Sequence, residues 1–329
     1  MENVIDHISV GNVHRQNRHG ISHLKTIIER RSCTCVVEAA AQAVFTLCAF
    51  FSVMAVVVIT LYMIANGVPA LFKVGIRDIL FSTVWKPTAE EPSFGILYIV
   101  LTSVIGTAMA ILIGVPIALL TAVFLAEAAP KRLAAVVKPA VELLAAIPSV
   151  IYGLLGTMIL NPLMYRWEQR IFGGSDTHRF TGGANLLSAV LVLAVMILPT
   201  VINISEASIR AVPPQLKSSS LALGASHIQT IFQVVIPAAK PGIITAIVLG
   251  VGRAIGEAMA ISLVSGGSVN FPLPFASVRF LTTALVSEMG YAVGVHRQVL
   301  FTIGLVLFAF IMLVNMILNG IFKKGEEGG

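Results

Sequence analysis

Six apolar windows, each long enough to cross a lipid bilayer as a helix, constrain the fold of this chain more than any other feature of its sequence. A spanning helix needs about 20 consecutive, mostly apolar residues. Charged residues make up only 12% of the chain, against about 25% in an average soluble domain. We therefore predict an all-α polytopic membrane protein with six transmembrane helices. The predicted spans are 44–64, 94–126, 140–160, 186–203, 243–264 and 299–321.

The Lys and Arg residues that flank these spans indicate their orientation. The segments on the side of the two chain ends carry more of them than the segments on the opposite side. Because such residues are enriched in cytoplasmic loops, we expect both termini in the cytoplasm. Residues 1–35 are then a solvated, flexible tail, residues 36–322 the transmembrane domain in contact with membrane lipid, and residues 323–329 a second tail. The net charge of +6 follows from this topology and does not indicate nucleic-acid binding.

Motifs for catalysis or cofactor binding are missing from the sequence. A nucleotide-binding P-loop ends in Gly-Lys-Ser or Gly-Lys-Thr, and no Lys follows a Gly here. The sequence also contains no HExxH and no GxSxG motif, and the His residues of the first tail fit no metal-ligand spacing. We therefore expect a transport subunit rather than an enzyme, with no catalytic residue, metal or cofactor of its own. Any ATP must then be bound by a partner subunit.

The loop 204–240, between the fourth and fifth spans, contains the start and stop signals of two short helices. Two prolines, Pro213 and Pro214, suit the start of a helix over residues 215–223, and Gly224 suits its left-handed end. Ser226 and Gln229 predict a capping box at the start of the second helix. Apolar residues then recur at helical spacing and predict one apolar stripe. The members of this stripe are Ile228, Ile231, Phe232 and Val235. Such a loop suits either the lipid surface or a cytoplasmic partner.

The run from Leu223-Gly224-Ala225-Ser226 to Val234-Val235-Ile236-Pro237 resembles the signature loop of importer permeases of ABC transporters. That signature has the form E-A-A-x-x-x-G, followed by nine residues and I-x-L-P. Ser218-Ser219-Ser220 occupies the E-A-A positions here, so the signature Glu is absent. The resemblance implies that this loop couples the spans to an ATPase subunit. The residues implied are Gln215, Leu223, Gly224, Ala225, Ser226, Ile228, Ile231, Phe232 and Pro237.

Two further runs narrow the resemblance. Residues 142–153 read E-L-L-A-A-I-P-S-V-I-Y-G, and residues 252–260 read G-R-A-I-G-E-A-M-A. Together with the loop, they resemble the PstC-type permeases of phosphate ABC importers. The resemblance implies the type I ABC importer permease (MetI-like) fold and a role as half of a phosphate pore in the bacterial inner membrane. The implied partners are a PstA-type second permease subunit, two PstB-type ATPase subunits that bind ATP, and an external PstS-type phosphate-binding protein.

Arg253 and Glu257 place two charges near the middle of the fifth predicted span. The two residues stand at i and i+4, so they share one face of the helix, one turn apart. Each charge costs on the order of 2.5–3.5 kcal/mol at this depth on insertion scales, and such residues often mark substrate pathways. We predict that the guanidinium binds an anion and that the carboxylate pairs with it between substrates. The alternative is a structural ion pair that faces a neighbouring helix.

In the third predicted span, Pro148 is expected to interrupt the helix and free backbone polar groups. Ser149 and Tyr152 lie beside this break and could donate hydrogen bonds to an anion, which gives a predicted pathway of Arg253, Glu257, Ser149 and Tyr152. A plain kink with a capping Ser is the alternative. Near the end of the same span we expect Lys138 to pair with Glu142 at i, i+4.

Small residues of the fifth span recur every four positions and predict close packing against a neighbouring helix. They are Ala246, Gly250, Ala254 and Ala258, together with the pair Gly252 and Gly256. The cargo stays open at this point, because a pore arginine also suits molybdate, tungstate or sulfate. An autonomous channel or secondary carrier is the alternative from another class, although carriers often contain inverted repeats and none is convincing here. The segments 66–91 and 161–185 are expected to face the binding protein.

Overall fold

A computed structural model describes the backbone of residues 5–174 and 178–324, and the side chains of residues 38, 40–174, 178–318 and 320. Most of the described backbone is helical. The helices are α1 (Ile5–Val74), α2 (Ile76–Leu80), α3 (Leu97–Val123), α4 (Lys131–Ala146), α5 (Ser149–Leu155), α6 (Asn161–Phe172), α7 (Leu186–Arg210), α8 (Pro214–Ala222), α9 (His227–Thr230), α10 (Ile236–Gly256), α11 (Met259–Val264), α12 (Leu281–Glu288) and α13 (Gly294–Lys324). Three π-helical turns lie at Phe124–Ala128, Gly156–Leu160 and Ile231–Val235. The strands β1 (Trp85–Lys86) and β2 (Ser93–Phe94) pair antiparallel, with Trp85 opposite Phe94.

The prediction of six membrane spans is confirmed when one bent pair of helices is counted as a single span. Within the described residues, five helical stretches are long and apolar enough to cross a bilayer. They are Ala40–Val74, Leu97–Ala128, Leu186–Arg210, His227–Gly256 and Gly294–Leu318. The sixth consists of Lys131–Ala146 and Ser149–Phe172, which meet at an angle of 99°.

The N-terminal segment differs from the sequence prediction. The chain forms two compact units, Met1–Tyr62 and Met63–Gly329. Because α1 begins at Ile5, the backbone of residues 5–35 is helical and not irregular; that these residues form a cytoplasmic tail stays a prediction. No proline precedes Pro69 in the sequence, so nothing in the chain breaks the helix. The His residues of this segment lie outside the described side chains, as do residues 325–329.

In the second unit, α7 is the central helix, and α3, α4 and α10 pack against it. The predicted small-residue stripe explains the contact with α10. Ala246, Gly250 and Ala254 are buried, and a Cβ atom on Gly250 would lie 2.6 Å from Cγ2 of Val201 in α7. Gly252 and Gly256 are exposed, so only the four-residue repeat contributes to this packing.

Candidate functional site

The third span is broken where the sequence predicts it. Ile147 and Pro148 have extended backbone between α4 and α5, since proline restricts the residue before it and has no N–H to continue the helix. The hydroxyl of Tyr152 donates a hydrogen bond of 2.7 Å to the carbonyl of Leu144 and so satisfies a carbonyl that the break exposes. Ser149 is the first residue of α5, and no side chain caps that helix, so the alternative of a capping Ser is wrong.

The predicted fifth span, 243–264, is not a single helix, because the spanning helix His227–Gly256 ends before Glu257. The helix α10 ends at Gly256, Glu257 is extended (φ −73°, ψ 131°), and α11 begins at Met259. The first N–H groups of a helix have no partner within it. Here Oε1 of Glu257 accepts a hydrogen bond of 2.9 Å from the N–H of Ala260. Thr282 donates a hydrogen bond of 2.7 Å to the carbonyl of Glu257, so the break is held from both sides.

The predicted pairing of Arg253 and Glu257 at i, i+4 is wrong because the helix ends between them. Both side chains are described, and no ion pair joins them. Instead, Arg253 donates a hydrogen bond of 3.1 Å to Oγ1 of Thr200 in α7. It lies in the last turn of α10, where the negative end of the helix dipole favours a cation.

The helices that follow the two breaks pack tightly against each other. A Cβ atom on Gly153 of α5 would lie 2.8 Å from Cα of Ala260 in α11. The hydroxyl of Thr157, one turn further on, reaches the carbonyl of Leu263 at 3.3 Å. Only a glycine at position 153 permits this approach without displacement of a backbone. The two breaks therefore belong to one substructure inside the spans.

The four residues of the predicted pathway lie at or within about one turn of these breaks. Tyr152 and Arg253 are close enough to interact electrostatically, and both Arg253 and Glu257 are half-buried. Irregular backbone at membrane depth occurs where protein buries it or where it lines a water-filled cavity. Thr200 and Thr282 contact these residues and were missed, because a single hydroxyl in an apolar run gives little local signal. Thr200 does follow a proline in α7.

Residues 211–235 of the predicted loop 204–240 match its predicted local structure closely, whereas residues 204–210 continue α7 and residues 236–240 begin α10. Helix α8 begins at Pro214 and ends at Ala222, and Gly224 has φ +90°. Both hydrogen bonds of the predicted capping box between Ser226 and Gln229 are present. The hydroxyls of Ser220 and Thr230 lie 3.0 Å apart and join α8 to α9. Among the remaining implied residues, Gln215 lies in the first turn of α8, Leu223 and Ala225 flank Gly224, and Pro237 lies in the first turn of α10.

The predicted apolar stripe of this loop is divided between two surfaces, so the prediction of one stripe is wrong. Ile231 and Val235 are buried, whereas Ile228 is 68% exposed and Phe232 is 56% exposed. The π-helical turn Ile231–Val235 widens the helix at this point and changes the angular spacing of the side chains. Leu223 is 90% exposed, which adds to the outer surface. We call Leu223, Ile228 and Phe232 the outer apolar surface of the loop.

The ion pair predicted within α4 is replaced by one between helices. Nζ of Lys138 lies 3.1 Å from Oε2 of Glu206 in α7, and Glu142 is exposed. Glu206 is buried and therefore offers a stronger site for a cation than a carboxylate in water does. This contact ties α4 to α7 near the loop.

Comparison with known proteins identifies the class. The family model for the binding-protein-dependent transport system inner membrane component matches residues 114–326, and the chain belongs to this family. It is 36% identical to the probable ABC transporter permease protein YqgH of Bacillus subtilis over 91% of this chain and 96% of that protein. It is also 33% identical to the phosphate transport system permease protein PstC of Haemophilus influenzae over 75% of this chain and 81% of that protein.

Comparison of the fold with solved structures gives the same class of protein. The chain superimposes on a chain of a bacterial alginate ABC transporter with a TM-score of 0.55 and 15% identity, covering 84% of this chain and 93% of the other. The predicted fold, that of type I ABC importer permeases, is confirmed. The chain is thus a multi-pass membrane component of a transport system.

Proposed function

We propose that this chain is the permease subunit of an ATP-driven importer and forms half of a translocation pore for inorganic phosphate. The observation that carries this proposal is the half-buried Arg253, held by Thr200 in the last turn of a membrane-spanning helix and next to a break in the chain's helical path. The similarity to PstC of Haemophilus influenzae supports phosphate as the cargo. We place the protein in a bacterial inner membrane with both termini in the cytoplasm.

Arg253 supplies the chemistry that an anion needs in a narrow pore. The one hydrogen bond that we observe from its guanidinium goes to Thr200, and the group has five N–H donors. The remaining donors can replace water around a phosphate oxygen through charge-assisted hydrogen bonds. The site must still release the anion, and the nearby carboxylate of Glu257 opposes tight anion binding.

The other pathway residues form hydrogen bonds that stabilise the two helix breaks. The carboxylate of Glu257 holds the start of α11 through Ala260, and Tyr152 holds the end of α4 through Leu144. We infer that these residues, with Ser149, line the path and set the position of Arg253 within it. A second candidate cargo is another tetrahedral oxyanion, namely molybdate, tungstate or sulfate, because its oxygens would accept the same hydrogen bonds.

Energy for transport comes from a partner in this proposal, since the sequence has no P-loop. We infer that the outer apolar surface of the loop docks on an ATPase subunit that binds ATP. The capped helices α8 and α9 hold Leu223, Ile228 and Phe232 exposed, as a docking surface requires. The expected assembly contains two such ATPase subunits, a second permease subunit and an external phosphate-binding protein that faces segments 66–91 and 161–185. Family membership argues against an autonomous channel or carrier.

The test is reconstitution of the complex purified through this chain. We expect an ATPase to co-purify, and ATP hydrolysis in liposomes to rise when binding protein loaded with phosphate is added. If molybdate, tungstate or sulfate stimulates hydrolysis and phosphate does not, the transported anion is that oxyanion and not phosphate. Anion flux through the chain alone, without ATP, would contradict the importer.

A further inference from the structure

The π-helical turn Phe124–Ala128, which ends the span that begins with α3, carries a buried carboxylate. The side chain of Glu127 is only 6% exposed, and it forms an ion pair with Lys217 of α8. Lys217 belongs to the loop 204–240, so this contact joins the loop directly to the end of a span. A buried carboxylate that loses its partner is strongly destabilised, and the two elements are therefore expected to move together.

A second contact reaches the same turn from the end of α7, where the loop begins. Arg210, the last residue of α7, donates a hydrogen bond of 2.9 Å to the carbonyl of Leu125. The same side chain pairs with Glu206, whose side chain is 4% exposed and which also contacts Lys138 of α4 at 3.1 Å. The turn is thus linked to the bent third span as well as to the loop.

Apolar packing supports these polar contacts. Val235 and Ala239, where the loop continues into α10, pack with Ala122 of α3 and Ile209 of α7 in one buried cluster. The turn itself is closed by a hydrogen bond of 2.7 Å from the N–H of Ala129 to the carbonyl of Phe124. π-Helical turns are rare in proteins, and those that occur often lie at functional sites.

From these contacts we propose that the turn Phe124–Ala128 receives the movement of the loop and passes it to the spans, and that Glu127 and Lys217 are the positioning residues of this connection. The loop has two sides with different roles. Its outer apolar surface faces away from the chain, and its charged side, through Lys217, holds Glu127. This inference deepens the proposed function and rests on it, since only a loop that docks on an ATPase has a movement to transmit.

The experiment compares the parent complex with Glu127→Gln and Lys217→Gln in liposomes, and measures anion uptake per ATP hydrolysed. Both variants should keep the ATPase bound and lower this ratio roughly tenfold, within the usual range of coupling between sites. The exchanged pair Glu127→Lys with Lys217→Glu should restore part of the ratio. Glu142→Gln is the matched control, because Glu142 is an exposed carboxylate of neighbouring α4, and it should leave the ratio unchanged.

The outcomes separate the two proposals. If the parent complex holds no ATPase, the proposed function fails and this inference fails with it. If the parent complex couples and Glu127→Gln couples equally well, only this inference is overturned. A merely structural role would lower uptake and hydrolysis in parallel and leave their ratio unchanged, which also overturns the inference. Should Glu127→Gln fail to assemble, the ratio in Lys217→Gln and in the exchanged pair decides in the same way.

Discussion

The loop 204–240 and the charged residues Arg253 and Glu257 are both conspicuous in the sequence, but they behave differently in the structure. In the loop, each signal acts on its close neighbours: Pro214 starts a helix, Gly224 ends it, and Ser226 caps the next one. At Gly256–Glu257, Arg253 and Glu257 do not pair with each other: Arg253 bonds to Thr200 in α7, and the carbonyl of Glu257 accepts from Thr282, while only the side chain of Glu257 has a local partner, Ala260.

The difference shows which features depend only on neighbours in the sequence and which depend on the packing of the spans. A cap or a left-handed glycine needs partners only a few residues away, so its geometry is independent of the rest of the fold. The partner of Arg253 lies on α7, and the carbonyl of Glu257 is held by Thr282. These partners become available only after the spans have packed, and they outweigh the pairing that helical spacing alone favours.

The largest effect is expected from Arg253→Gln, which tests whether the break is the working part of the pore. Phosphate uptake by the reconstituted complex should fall about 100-fold, because charge-assisted hydrogen bonds contribute roughly 1.5–3 kcal/mol each and about 1.4 kcal/mol is tenfold. Assembly should persist. Arg253→Lys, which keeps the charge without the planar fork, should retain more uptake than Gln does. Equal uptake by the parent and the Gln variant would remove Arg253 from the pathway.

Phe232→Asp should have the next largest effect and tests the loop as a docking surface. A charge on a side chain that is exposed in this chain but buried in the proposed interface should weaken ATPase binding about tenfold or more, since a buried unpaired charge is costly. Phe232→Leu is the control and should bind normally. Co-purification and quantitative binding measure the effect, and unchanged binding by the Asp variant would favour a loop that contacts lipid.

Variants of Glu257 test whether its hydrogen bond to the N–H of Ala260 or its negative charge stabilises the start of α11. Glu257→Gln keeps an oxygen that can accept from the N–H of Ala260, so its thermal stability should stay close to that of the parent. Glu257→Ala loses this acceptor and should cost about 1 kcal/mol, as other helix caps do. Thermal unfolding in detergent measures both variants. Equal destabilisation by Gln and Ala would show that the negative charge, rather than the hydrogen bond, holds the break.

The smallest effect is expected from Gly224→Ala in the loop. Space is open around this glycine, so only the strain of φ +90° acts, and the expected cost is about 1 kcal/mol. Gly252→Ala is the matched control, because Gly252 also has open space but lies within a helix; it should be neutral or slightly stabilising. If both variants unfold at the same temperature, the left-handed turn does not contribute to the stability of the loop.

In the third span, a single proline predicts the position of the break but not the hydrogen bonds around it. Pro148 predicts the break because its effect on the preceding residue and on the helix is local. The role of Tyr152 as donor to Leu144 does not follow from that rule, since either an anion or a freed carbonyl could accept a hydrogen bond from its hydroxyl. Lys138 behaves similarly: Glu142 has the right spacing, but Glu206 of α7 becomes the partner because burial makes its need for a cation greater.

The sequence by itself determined the number of spans, the small-residue face of α10, the position of the break at Pro148 and the caps and turns of the loop. These features depend on hydrophobic length, on helical periodicity or on partners within one turn. Tertiary structure alone decided that the helix of the fifth span ends at Gly256, that Arg253 bonds to Thr200, that the apolar stripe of the loop is divided, and that Lys217 reaches Glu127. Each of these depends on which polar and apolar groups the packed helices bring together, and sequence spacing contains no record of those distances.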